Sequence, residues 1–167
     1  DGAHELGRVT VTNGGKIACL TAANGTTTNG IWLTANAIYV SADSSIDVSG
    51  TSYKTNPGVN DRGPGGSHGG RGGYCQYNGR NSGPTYGSIT EPADPGEAGP
   101  YSSTTYATRG GGVVKLQADR LVLDGALRAD GLLTTGHTGG GAGGSIWLEV
   151  GELSGTGSIT AHGGAAT

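Results

Sequence analysis

The sequence predicts an all-β protein: a right-handed parallel β-helix, or β-solenoid, with one long Gly/Pro/Tyr-rich inserted loop. Three observations carry this prediction. Apolar and polar residues alternate in short runs, these runs repeat along the chain, and Gly or Pro interrupts every stretch long enough to form a helix. Alternation with period two is the pattern of a strand that buries one face. The right hand follows from the usual hand of parallel crossover connections.

Composition narrows both the fold and the function. Of 167 residues, 36 are Gly and 6 are Pro, and only 33% are hydrophobic, with no Phe and no Met. Such a chain cannot fill the core of a helical bundle. With 14% charged residues and a net charge of −3, it lacks the basic surface that binds nucleic acid. No run approaches 18 apolar residues, so we expect a single domain over residues 1–167 without a membrane span.

The repeat is clearest between residues 113–131 and 145–163. An offset of 32 residues aligns Val114 with Ile146 and Leu127 with Ile159 without a gap. Residues 30–50 form a third copy with two extra residues, and a partial fourth copy precedes it at an offset of 29. Such short units bury their apolar faces only by stacking on one another, as in a solenoid. We therefore predict coils over about 7–50 and 113–164. A β-sandwich is the alternative, but its strands need not repeat in sequence.

Residues 51–112 form an insertion of different composition, which contains all six Pro and six of the seven Tyr. We expect this loop to be ordered against the coils, because Tyr covers a sheet face while its hydroxyl stays in water. The mixture of Tyr, Ser, Gly and Asn also suits a recognition loop, which makes Tyr74, Tyr77 and Tyr86 candidate contact residues. The plainer interpretation is a loop that only shields one face of the coils.

Trp32, Lys115 and Trp147 occupy equivalent outward positions in three copies of the repeat. If the coils stack in sequence order, Lys115 lies between the two indoles. The row could then serve as a cation–π stack, a platform for sugar rings or part of a subunit interface. The alternative is that the insertion covers it.

The two cysteines and one Asn suggest covalent modification. An even number of Cys in a chain expected to be secreted favours a Cys19–Cys75 disulfide, which would tie the insertion to the first coil. The alternative for Cys19 is a buried thiol that packs as an apolar side chain. Asn24, in the sequence Asn24-Gly25-Thr26, is a candidate N-glycosylation site.

No catalytic or metal-binding pattern stands out. The four His do not have ligand spacing, so we predict no metal and no cofactor. The outward carboxylates do not line up across the repeats, and we predict that the protein is not an enzyme. A polysaccharide lyase or hydrolase that acts through Asp119, Asp124 or Glu152 is the less favoured alternative.

The segment GGGAGGSIWLEVGELSGTGSITAHGG at 139–164, together with GPGGSHGGRGG at 63–73, resembles the glycine-rich β-solenoid modules of large cell-surface proteins of bacteria and protists. The resemblance covers nearly the whole chain, which departs from the pattern in its two Cys and in having one clear module. It implies a structural role outside the cell or at the cell surface, and it brings no catalytic motif.

Neither the residues before Val9 nor those after Ala161 supply a helix or charged strand to cap an open strand ladder. We therefore expect stacking, either head to tail between copies or onto adjacent repeats of a longer chain, to give a filament or surface stalk. The alternative is a carbohydrate-binding adhesin module that contacts glycans through Trp32 and the Tyr-rich insertion.

Overall fold

The protein is described by a computed structural model covering residues 5–20, 30–54, 63–76, 79–99, 108–134 and 139–165. These residues form strands and no helix, which confirms the all-β prediction. The strands are β1 (Glu5–Val11), β2 (Lys16–Ile17), β3 (Gly30–Val40), β4 (Ser45–Asp47), β5 (Val113–Leu123), β6 (Ala126–Arg128), β7 (Ser145–Ser154) and β8 (Ser158–Thr160).

The strands form two parallel four-stranded sheets. One has the order β1-β3-β5-β7 and the other the order β2-β4-β6-β8. Each long strand is followed by a short one, so each repeat of the sequence adds one strand to both sheets. Repeats that are consecutive in sequence are therefore neighbours in space, and β3 pairs directly with β5 across the insertion.

The strand register matches the alignment of the repeats. Val114 pairs with Ile146 and Leu127 with Ile159, as the offset of 32 requires. The two extra residues of the third copy lie in the turn between β3 and β4, where the Ser44 amide donates to the Ser41 carbonyl at 2.9 Å. Hydrogen bonds from the Ser41 and Ser44 hydroxyls lower the pKa of Asp43 in this turn.

One hydrophobic core lies between the inward faces of the two sheets. Ile38, Leu121 and Leu127 are almost completely buried, as alternation predicts. The alternation breaks at the same level in both central long strands: neither residue is buried at 36–37 in β3 or at 119–120 in β5. Each of these two strands therefore presents two separate sets of inward side chains.

The segments 63–73, 94–99, 108–112, 129–134, 139–144 and 161–165 contain no strand and are named here the glycine block. Backbone hydrogen bonds join these segments, such as Gly66 N–H to Gly140 O and Gly111 N–H to Ala142 O, both 2.9 Å. A Cβ atom on Gly111 would lie 1.9 Å from the Ala129 carbonyl oxygen. Only glycine permits so close an approach between two backbones.

The glycine block adds a source of order in the insertion that the Tyr residues did not indicate. The sequence predicts that Tyr side chains hold the loop against the coils. In the described part of the insertion, Tyr86 is packed against Lys54 and His68, but Tyr74 is 58% exposed, and backbone contacts between glycine segments supply further packing. The pattern missed these contacts because glycine has no side chain to mark which face of a segment is buried.

Candidate functional site

The two ends of the stacked sheets expose side chains that belong to core positions. At the β7 end, formed by β7 and β8, Leu153 is 51% and Ile159 is 44% exposed. Their neighbours one strand inward, Leu121 and Leu127, are at most 1% exposed. At the β1 end, formed by β1 and β2, Leu6 is 40% exposed. Both ends therefore present apolar surface that a further strand layer would bury.

Both ends also present open backbone. Within the described residues, β1 and β7 are each bonded to a neighbour on one side only, as are β2 and β8. A row of backbone N–H and C=O groups at a sheet edge pairs readily with another strand. The ends thus combine the two features of an interface formed by strand addition.

The outward row lies where the repeat places it. Register pairs Trp32 with Lys115, and Lys115 with Trp147. The Lys115 ammonium is 3.5 Å from the centroid of the Trp147 ring and 3.7 Å from a Glu149 carboxylate oxygen. Trp32 is 60% exposed, so the described part of the insertion does not cover it. The role of the row as a binding or interface surface stays a prediction.

The insertion contributes a groove with a volume of about 520 Å³. Its walls are largely glycine backbone from 65–73 and 140–144, and the larger side chains along it include His68, Arg71, Tyr86, Ile89 and Ile146. The His68 ring lies 5.0 Å from the Tyr86 ring, centroid to centroid, and its Nδ1 is 2.9 Å from the Gly143 carbonyl oxygen.

Beside this groove lies a cluster of titratable side chains, of which the sequence pattern singled out only Tyr86. The Lys54 ammonium sits 3.5 Å from the Tyr86 ring centroid and 3.2 Å from an Asp94 carboxylate oxygen. Burial raises the pKa of Tyr86, and the charges of Glu97 and Asp94 raise it further. Its hydroxyl donates to the Pro95 carbonyl at 2.6 Å.

Glu97 is the buried carboxyl of this cluster, at 7% exposure. Burial raises its pKa, while the Ser67 amide, which donates to Oε2 at 2.9 Å, and the charge of Lys54 partly oppose the shift. Lys54, Tyr86 and Glu97 lie far apart in sequence and outside the repeats, so only the folding of the insertion brings them together.

The structure does not contain the predicted disulfide: Cys19 and Cys75 are both thiols and half-buried. Residue Cys75 pairs with Arg80, and Gly73 nearby bonds Gly65, next to the contact of Gly66 with Gly140. The insertion thus reaches toward the turn before β7, whereas Cys19 follows β2 at the β1 end. The segments that carry the two residues contact different parts of the stack, and the two thiols are not joined.

Two further candidates, Asn24 and Tyr77, lie outside the described residues. Over the residues that the structure covers, no group of three or more His, Cys, Asp or Glu side chains is placed to hold a metal ion. Within the same residues, no helix has the length and apolar character needed to cross a membrane.

The three carboxylates of the enzymatic alternative, Asp119, Asp124 and Glu152, have different contacts and do not form one site. Glu152 lies 3.5 Å from the Arg120 guanidinium, and Asp124 accepts the Thr156 amide at 3.2 Å. Asp119 lines a second depression, with Gln117 and Glu149.

Comparison with known proteins returned no similarity: no family model, no curated protein and no solved structure matches the chain.

Proposed function

We propose that the protein is a structural subunit or module outside the cell or at its surface, which stacks head to tail into a filament or stalk. Its fold in this proposal is a right-handed parallel β-helix. The observation that carries the proposal is the pair of open ends, where parallel strand edges coincide with exposed core side chains such as Leu153 and Ile159.

Support for the β-helix comes from the positions at which the alternation of buried and exposed residues breaks within the long strands. The break at 36–37 and at 119–120 divides each central long strand into two inward-facing segments, and the short strand that follows supplies a third. Three inward segments per repeat, stacked in parallel with in-register apolar columns, are what a triangular coil requires. The right hand rests on the general preference of parallel crossovers.

Support for the extracellular location comes from the resemblance to cell-surface β-solenoid modules and from the composition. A chain rich in Gly, Ser, Thr and Asn, with 14% charged residues, suits a passive structural element better than a site for catalysis. In the described strands the acidic residues do not form rows, which agrees with this: Asp47 pairs with Arg128, and Arg128 pairs with Thr160.

Electron microscopy of the purified chain tests the proposal. We expect filaments with an axial rise of about 19 Å per subunit, from four strand layers at about 4.8 Å each. Compact, monodisperse particles at moderate concentration would contradict head-to-tail stacking between copies.

The exposed Trp32 favours a second candidate, a carbohydrate-binding adhesin module. An indole that is 60% exposed beside Lys115 is suited to stack on a sugar ring. A glycan array with the wild-type chain and Trp32→Ala tests it. Because Trp32 is exposed, the variant should keep its fold within about 0.5 kcal/mol, so a loss of glycan binding would report on contact rather than stability.

A further inference from the structure

We propose the register of the junction between two copies: β7 of one copy pairs in parallel with β1 of the next, and β8 pairs with β2. This inference rests on the proposed head-to-tail stacking and assigns its partner as a second copy of this chain. In this register Leu153 meets Val9, Ile159 meets Ile17 and Glu152 meets Arg8.

The register follows from columns of paired residues, in which each residue lies level with its partner on the next strand of the sheet. Val9 pairs with Ile38, Ile38 with Leu121 and Leu121 with Leu153. Continuing the column places the half-buried Val9 of the next copy on Leu153. The short strands form a second column, Ile17, Ile46, Leu127 and Ile159, in the same way.

Two features oppose a slipped junction. A slip of one residue would turn every apolar side chain of β1 away from the core. The break in alternation, called here the phase break, lies at 36–37 in β3 and 119–120 in β5, and the register places it at 7–8 in β1 and 151–152 in β7. A slip of two residues at the junction would put the phase breaks of the two copies at different levels. The junction that keeps both the apolar columns and the phase break is the one proposed.

Charge complementarity identifies the second copy as the occupant. The column at the phase break contains Arg8, Ala37, Arg120 and Glu152. Glu152 is 59% exposed and already faces Arg120 at 3.5 Å on its inner side. Arg8 is exposed and forms no ion pair with any other described residue. Across the junction, Arg8 of the next copy would take the open side of Glu152 and complete an Arg–Glu–Arg column.

The column three residues earlier along the long strands provides an internal contrast. It pairs Glu5 with Thr34, Thr34 with Gln117 and Gln117 with Glu149. The proposed register therefore brings the positions of Glu149 and Glu5, two residues of like formal charge, to the same level. Loss of the Glu149 charge should not weaken the junction, whereas loss of the Glu152 charge should.

Disulfide trapping tests the register directly. Thr10 and Ser154 share one column through Tyr39 and Val122, and the expected Cα separation of about 4.8 Å across a strand pair suits a disulfide. In a Cys19→Ala/Cys75→Ser background, the Thr10→Cys/Ser154→Cys chain should form covalent ladders under mild oxidation. The matched control, Thr12→Cys/Ser154→Cys, moves one thiol two residues along, about 8 Å away, and should not.

The outcomes separate this inference from the proposed function. Filaments whose ladders form only in the Thr12→Cys control would overturn the register while leaving stacking intact. If no filaments and no ladders form, stacking between copies fails and the neighbour is an adjacent repeat or absent.

A second measurement uses charge alone. Glu152→Gln or Arg8→Gln should raise the critical concentration for assembly about two- to fivefold at low salt, an effect that weakens at high salt. Glu149→Gln should leave it unchanged or lower it. Equal effects of Glu152→Gln and Glu149→Gln would contradict the proposed pairing.

Discussion

The strand coils and the glycine block reach close packing by opposite means. In the coils, branched apolar side chains such as Leu116 and Ile46 fill the space between sheets and are completely buried. In the glycine block, backbones touch each other, and a Cβ on Gly144 would lie 1.9 Å from the Gly112 carbonyl oxygen. The coils depend on the volume of their apolar side chains, and the glycine block depends on the lack of Cβ atoms. Removing a few atoms should therefore destabilise the coils, and adding a few should destabilise the glycine block.

The largest expected effect is the removal of side-chain volume from the coils. Leu116→Ala should lower the free energy of unfolding by about 2–5 kcal/mol, because it leaves a cavity between strands that cannot collapse fully. Urea unfolding measures this. The matched control is Leu133→Ala: Leu133 is 66% exposed, and a similar loss there would contradict the proposed core.

The next effect is the addition of one methyl group to the glycine block. Gly111→Ala should lower the free energy of unfolding by about 1–3 kcal/mol or more, because the Ala129 carbonyl lies 1.9 Å from the new Cβ. Gly73→Ala is the control, since nothing lies within 4 Å of its Cβ position. That variant should be neutral or slightly stabilised. Equal losses in the two variants would mean that the backbones are not in contact.

A smaller effect concerns Asp47 in the coils. Burial alone would raise its pKa, but hydrogen bonds from the Lys16 ammonium, at 2.7 Å, and the Ser49 amide, at 2.8 Å, lower it below 3.8. Its contribution to stability is therefore present above the unfolded pKa and is lost as pH falls through the folded one. Asp47→Asn should cost about 1 kcal/mol at neutral pH. Thermal unfolding at pH 7 and pH 2.5 should show this difference shrink on acidification.

The smallest effect has the opposite sign and lies in the insertion. Because burial raises the pKa of Glu97 above 4.5, its contribution is present below the unfolded pKa and is lost as pH rises through the folded one. Glu97→Gln keeps an oxygen for the Ser67 amide and removes the buried charge. It should raise the melting temperature at pH 7 and have little effect at pH 4. A lower melting temperature at pH 7 would show that Lys54 compensates the carboxylate fully.

The sequence predicted the coils well because each strand repeats a local pattern. Alternation marked the buried positions, and the offsets of 29 and 32 anticipated the pairing of Val9 with Ile38 and of Val114 with Ile146. It also placed Trp32, Lys115 and Trp147 in one row. Positions that align between two repeats become paired residues in the sheet, so the alignment of the repeats predicts the strand register.

The same reasoning failed in the insertion. It favoured a Cys19–Cys75 bond from the number of cysteines, a criterion that contains no distance, and the structure has thiols at both positions. It assigned order to Tyr packing alone, whereas glycine backbone contacts accompany the packing of Tyr86. It did not anticipate the cluster of Lys54, Tyr86 and Glu97, whose members are separated by segments without periodicity.

The sequence by itself determined the strands, their inward faces and the register between matching repeats, because apolar alternation and repetition are properties of the local sequence. That β3 and β5 are neighbours across the insertion was decided by the tertiary structure. Only the tertiary structure decided which glycine segments touch, how close Lys54 comes to Tyr86, and which core side chains lie uncovered at the β1 and β7 ends. These depend on the paths of segments that have few side chains to specify them. A glycine in the sequence indicates that another backbone segment can approach closely, but the rest of the fold determines which segment does so.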